Sequence, residues 1–141
     1  MIKKLKTTLT IIICILYLGA LLQECYLVDG HSSIGSFGVF ALLLGWMQFD
    51  TVALVWLANP LFVVSLLLFV FSKKLNLGLI LSGIASILAI YFLNVTEVLR
   101  DESGYVGKIT GYLLGYWMWV SANVLCFFSF VLKKWLNKKQ Q

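Results

Sequence analysis

Few side chains in this sequence have the chemistry to bind an ion, move a proton or attack a carbonyl. The single histidine, His31, follows Glu24 and Asp29, and a second acidic group, Glu97, Asp101 and Glu102, comes much later in the chain. Carboxylates and an imidazole brought together from two loops can hold a divalent cation. Here their spacing follows no metal motif, and there is neither an HExxH nor a phosphate-binding glycine loop, so a solvated acidic face is the simpler account. No catalytic residues, metal site or cofactor are expected, and the chain is read as a non-enzyme.

Polar residues inside apolar runs are the next candidates, because a polar group at membrane depth costs free energy unless it is engaged. Asn59 precedes Pro60, whose missing amide and ring break the helical ladder and free a carbonyl near that of Trp56. Asn59 can bind that backbone or a neighbouring helix. Asn123 stands at comparable depth in a later run, so an Asn59–Asn123 hydrogen bond is the expected interhelical contact, structural glue rather than an ion or substrate site. Trp117 and Trp119, within Gly115-Tyr116-Trp117-Met118-Trp119, are read as bulky filling of the bundle. Gly107, Gly111 and Gly115 recur every four residues on what is read as the fourth helix, and Gly78, Ser82 and Ser86 have the same spacing on the third. Small residues so spaced let backbones approach, which predicts a tight hairpin of these two helices, with an oligomer contact as the alternative. Cys14 and Cys126 fall at similar depth and are expected to be buried thiols rather than a redox pair; Cys25 has no partner near the same end of the bundle.

The elements that must position these residues are membrane spans. With 61% hydrophobic residues, 12% charged residues and a mean hydropathy of +0.95 over 141 residues, the chain lies far outside the range of soluble domains. Charge-free stretches run over 7–23, 51–72, 75–96 and 109–132, that is 17, 22, 22 and 24 residues. About 20 helical residues, rising ~1.5 Å each, cross a ~30 Å hydrocarbon core. The expected fold class is all-α: a polytopic four-transmembrane-helix bundle forming one domain over 1–141, with spans at about 7–27, 51–72, 75–96 and 109–132. A fifth apolar stretch, about 36–49, is too short to span and is read as a half-length helix at the outer interface or a re-entrant segment. Asp50 with Thr51 would cap the second span.

Charge orients this bundle. With four spans and both termini cytoplasmic, the inner side holds Lys3, Lys4, Lys6, Lys73, Lys74, Lys133, Lys134, Lys138 and Lys139, and the outer side only Arg100 and Lys108, nine against two. All six acidic residues, Glu24, Asp29, Asp50, Glu97, Asp101 and Glu102, fall outside. The net +5 is therefore an inner +9 against an outer −4, suited to anionic lipid rather than nucleic acid. No small-x-small cleavage site follows Leu22, so the first span is expected to stay as an anchor. Tyr26, Trp46, Tyr91, Tyr105 and Tyr112 would mark the outer interface and Trp135 the inner one.

From Leu42 to Leu67, with Leu44-Gly45-Trp46 and Trp56-Leu57-Ala58-Asn59-Pro60-Leu61, and again at Gly115-Tyr116-Trp117-Met118-Trp119, the chain resembles a group of small bacterial four-helix inner-membrane proteins. The resemblance implies a bacterial inner-membrane location and brings no activity with it. The expected function is non-catalytic: a small membrane protein acting through helix–helix or protein–protein contacts, as an accessory subunit or an immunity-type protein. Its partners would be the lipid bilayer and either another membrane protein or further copies of itself. An oligomeric channel or small-solute transporter is the alternative.

Overall fold

A long apolar run folds as a helix because each backbone amide then finds its partner within its own segment. The computed structural model describes residues 2–48, 51–72, 74–99 and 104–139. Helix α1 spans Ile2–Leu21. After it come the short strand β1 (Tyr26–Val28), a 3-10 turn at Ile34–Ser36, the half-length helix α2 (Gly38–Leu44) and a second 3-10 turn at Gly45–Met47. Helices α3 (Thr51–Trp56) and α4 (Ala58–Phe71) form one rod interrupted at Leu57. Helix α5 (Leu75–Tyr91) continues into a 3-10 turn at Phe92–Asn94. Strands β2 (Glu97–Leu99) and β3 (Val106–Tyr112) lead into the final helix α6 (Leu114–Lys139). Four rods, Lys4–Leu21, Thr51–Phe71, Leu75–Asn94 and Leu114–Lys139, are long and apolar enough to cross a membrane.

Two expectations need correction. The fold is not all-α, because β1, β3 and β2 form a three-stranded antiparallel sheet in that order. Val106–Tyr112 carries β-branched Val106, Ile109 and Thr110 between glycines, a composition that weakens a helix and fits a pleated strand. The fourth rod therefore begins at Leu114 rather than 109 and runs on to Lys139 through a lysine-rich last turn suited to a helix C-terminus. The first rod likewise ends at Leu21, and Tyr26 and Leu27 belong to β1. The half-length helix lies inside the expected 36–49 stretch. Asp50, the expected cap of the second rod, lies outside the described residues, as do Asp101 and Glu102.

The rods α4 and α5, α5 and α6, and α6 and α1 pack closely, whereas α1 touches α4 sparsely, so the ring has one thin seam. Its polarity is inverted relative to a water-soluble bundle. Ser65, Ser82, Asn123 and Ser129 are buried, while Ile15, Leu18, Ile87 and Phe71 are more than half exposed. Apolar outward faces of this extent would aggregate in water and suit a hydrocarbon surround. The core between the rods is filled by Ile13, Phe62, Phe69 and Phe130, with Phe69 edge-on to Phe130 at 5.1 Å and Tyr17 stacked on Phe62 at 4.5 Å across the thin seam.

Helix ends expose carbonyls that need donors, and here other elements supply them. At one end of the bundle Lys6 donates to the Val70 carbonyl at 2.6 Å, and Lys133 donates to that of Phe69 at 3.4 Å, closing the last turn of α4 with positive charge. At the opposite, sheet end, the Tyr116 hydroxyl donates to Ala89 O at 3.1 Å and that of Tyr112 to Phe92 O at 3.0 Å, closing α5. Helix α2, only seven residues long, would not hold alone. Its last carbonyls are taken by two indoles, Trp56 Nε1 to Leu42 O at 2.7 Å and Trp46 Nε1 to Leu43 O at 2.8 Å.

The sheet ties the loops together. Tyr26 pairs with Tyr112 and Val28 with Ile109 on one side of β3, and Glu97 with Lys108 and Leu99 with Val106 on the other. Asp29 (φ 52°) and Gly30 (φ 78°) turn the chain between Val28 and His31, which exchange backbone hydrogen bonds at 3.0 and 3.1 Å. This is the Asp-Gly hairpin chemistry, with positive φ at both central residues.

Candidate functional site

The break at Leu57 places a buried side-chain amide, Asn59, beside a carbonyl that has lost its helical partner. Pro60 has no amide to offer Trp56 O, and the Asn59 side chain takes over, Nδ2 donating to that carbonyl at 3.1 Å. With Nδ2 so placed, Oδ1 faces the bundle and accepts two donors, Tyr17 Oη from α1 at 3.0 Å and Trp119 Nε1 from α6 at 2.9 Å. One amide therefore joins three rods and mends the broken ladder of its own. Pro60 itself turns its ring to the exposed side.

Asn123 does not meet Asn59. Its Nδ2 donates to Trp119 O one turn back at 2.9 Å, and its Oδ1, fully buried, has no partner among the described residues. The expected Asn59–Asn123 bond is replaced because Trp119 stands between them in the network, its indole on one amide and its carbonyl on the other. Trp117, by contrast, is half exposed and packs on Tyr116 at 5.1 Å, facing away from the bundle.

The glycines are also placed differently from expectation. Gly107 and Gly111 lie in β3, paired with Val98 and Leu27, so no glycine face runs along α6. Gly107 is small because Val28 and Asp29 pack where a side chain would stand. Gly115, in the first turn of α6, is pressed against backbone: an added Cβ would lie 2.7 Å from Glu24 O and 2.8 Å from Gln23 O. On α5, Gly78 accommodates the Phe130 ring, and the Ser82 and Ser86 hydroxyls bond carbonyls of their own helix. Helices α5 and α6 do pack together, but by phenylalanine into glycine and not glycine against glycine.

Above Asn59 lies a half-enclosed cavity of about 80 Å³, between the ends of α1 and α6, the half-helix α2 and α3. Ala20, Gly38, Ala41 and Gly45 leave it open, and Tyr26, Phe92, Tyr116 and Trp119 form its aromatic side. Gly38 and Gly45 are held small by the backbone of Ala20 and the ring of Trp56. Gln48 sits at the sheet end of the cavity, where its Oε1 accepts from Leu99 N at 3.1 Å. Tyr17 and Gln48 were not singled out from sequence, whereas the Trp56 carbonyl was expected as a partner of Asn59 and is one. Tyr17, the one hydroxyl in the apolar stretch 11–22, was the signal available.

Among the described residues no three of His, Cys, Asp and Glu converge as a metal site. Asp29 serves the hairpin, its Oδ1 accepting from Lys108 N at 3.0 Å. The three cysteines are free thiols; Cys126 faces Ser65 at 3.6 Å and is not joined to Cys14. Cys25 is buried at the sheet end, and burial pushes its thiol up to about 12. A thiol with a raised pKa is protonated, and so unreactive, at all pH values well below that value. Cys25 should therefore resist maleimide at pH 8 in the folded protein and react after denaturation in SDS, as read by mass shift.

No family model, curated protein or solved structure matches the chain. The site thus has to be interpreted from its own chemistry. A three-way amide junction with all strong donors paired is a device for fixing helix positions, and the cavity beside it is a recess lined by carbon.

Proposed function

We propose that this chain is a non-catalytic four-span protein of a bacterial inner membrane that acts through protein contacts made at its sheet end, as an accessory subunit or an immunity-type protein. The observation that supports this most is where the exposed, rigid and polar surface lies. The hairpin Val28–His31 and strands β2 and β3 form a hydrogen-bonded platform bearing Glu24, Asp29, Glu97 and Lys108 at one end of an otherwise apolar rod bundle. Gly107 and Gly115, which could have formed a sticky helix face, are packed within the chain, which favours this platform over the helix flanks as the contact surface. The lysines Lys4, Lys6, Lys74, Lys133, Lys134, Lys138 and Lys139 gather at the other end, which favours a cytoplasmic position for both termini.

The channel reading has less support. Ile13, Phe62, Phe69 and Phe130 fill the axis of the single bundle, so any path would have to run between copies. Affinity purification of the tagged protein in mild detergent, followed by mass spectrometry and native mass determination, tests the two readings together. A stoichiometric partner lost on charge reversal at Glu97 and Lys108 is the expected result. A homo-oligomer without a partner that passes ions in liposomes would overturn it.

Orientation has its own test. Cysteine placed at exposed Ser32 should react with an impermeant maleimide added outside intact cells, and cysteine at exposed Asn137 should react only after the cells are opened. The reverse pattern would invert the topology.

A further inference from the structure

An apolar occupant of this recess would be favoured, because an empty apolar cavity forfeits dispersion contacts on every wall. Its lining excludes water as the favoured occupant. The polar ends of the aromatic side chains around it are engaged elsewhere: Trp56 Nε1 on Leu42 O, Trp119 Nε1 on Asn59, the Tyr116 hydroxyl on Ala89 O and the Tyr26 hydroxyl on Gly35 O. What they present to the cavity is ring carbon, and a buried water needs two to four polar partners.

The half-buried lining residues Leu21, Leu42, Val52 and Trp56 make the rim apolar as well. From Val52 to Asn59 the recess follows the α3–α4 rod downward for roughly 10 Å, the rise of seven helical residues, with Gln48 at its sheet end. Its long axis is thus that of a lipid chain in the same leaflet. At the sheet end Gln48 has engaged only its Oε1; its NH2 has no partner among the described residues. A donor at the head of an apolar slot meets the place where a lipid ester carbonyl sits.

We propose that the cavity bounded by α1, α2, α3 and α6 binds one acyl chain of a bilayer lipid, with the Gln48 amide donating to the ester carbonyl and the chain end resting on Asn59 and Trp119. The proposal goes beyond the contact function and rests only on the chain spanning a bilayer.

Photolabelling tests it. The protein is reconstituted in phosphatidylethanolamine vesicles containing a phosphatidylethanolamine with a mid-chain diazirine, irradiated and mapped by peptide mass spectrometry. Carbene insertion is expected at Val55, Asn59 or Trp119 on the cavity floor, as well as at Ile11, Ile15 and Leu18 on the exposed face of α1. Ala41→Trp, which fills the recess, should lower the floor label about tenfold and leave the exposed label unchanged. Because that variant alters packing, Gln48→Glu provides a second arm: it keeps the acceptor for Leu99 N but sets a carboxylate oxygen against the ester, and should also lower the floor label. Label on the α1 face with none on the floor would overturn the proposal, as would floor label that persists unchanged in both variants. Label on neither would overturn it together with the membrane reading.

Discussion

Replacing Gly115 with alanine should destabilise the protein strongly, by about 3 to 5 kcal/mol. The added carbon would stand 2.7 and 2.8 Å from the Glu24 and Gln23 carbonyl oxygens and 3.0 Å from Cys25 Sγ. Two of those three neighbours are backbone and cannot rotate away. Relief requires α6 to separate from the segment after α1, which breaks Gly115 N to Glu24 O at 2.9 Å and Leu113 N to Cys25 O at 2.8 Å. The same segment is held on its other edge by Cys25 N to Ser36 O and Gly38 N to Gln23 O, so movement there also loosens α2. Gly111→Ala makes the contrast. Its Cβ would meet only Leu27 Cδ1, at an ordinary 3.7 Å, and the change should stay within about 0.5 kcal/mol. Unfolding by SDS titration from detergent micelles reads both. Equal effects at the two positions would mean that the close approach of α6 to the Gln23–Cys25 backbone is not present in the protein.

A second large effect is expected where two asparagines share the same core but not the same role. Asn59→Leu removes three hydrogen bonds at once and leaves Trp56 O, the Tyr17 hydroxyl and the Trp119 indole without their partner. Interhelical hydrogen bonds in membranes are individually modest, about 0.6 to 2 kcal/mol, so the loss of all three should cost about 2 to 5 kcal/mol. Pro60 makes the loss worse, since no backbone amide can replace the side chain on Trp56 O. Asn123→Leu removes one bond to its own helix and relieves a buried acceptor that has no donor among the described residues. It should be neutral or stabilising by up to about 1 kcal/mol. The ordering Asn59 far above Asn123, measured in the same SDS titration, is the test; a costly Asn123→Leu would mean that Oδ1 holds a partner of functional interest. Tyr17→Phe and Trp119→Phe should each reproduce part of the Asn59→Leu loss and add little to it, as members of one network do.

Much of the architecture could be read along the chain. Charge-free runs near 20 residues define rods whatever their partners, because hydrocarbon leaves the backbone no other way to pair its amides. The separation of nine lysines from the acidic residues is likewise a property of linear order. Even the local chemistry of Asn59 was accessible, since Pro60 and the carbonyl it strands are four residues apart on one helix. The half-length stretch before Thr51 was legible too, as a run too short to span.

Other features depend on residues far apart in sequence. Gly107 and Gly111 have the four-residue spacing of a helix face, and the pairing of β3 with Tyr26–Val28 and Glu97–Leu99, added to its β-branched composition, made that segment a strand. Their periodicity is shared by both structures, so local order could not decide between them. The Asp29-Gly30 turn was a local signal for that sheet, but it stabilises a hairpin only where a partner strand lies alongside. Which donor reaches Asn59 was likewise a tertiary choice: Tyr17 and Trp119 come from rods 42 and 60 residues away, while Asn123 at similar depth is turned toward its own helix. Linear order thus determined how many rods there are and which ends carry charge, because those follow from solvation of each segment by itself. The sheet, the amide junction and the apolar recess were decided by the fold, because each exists only when three or more distant segments meet.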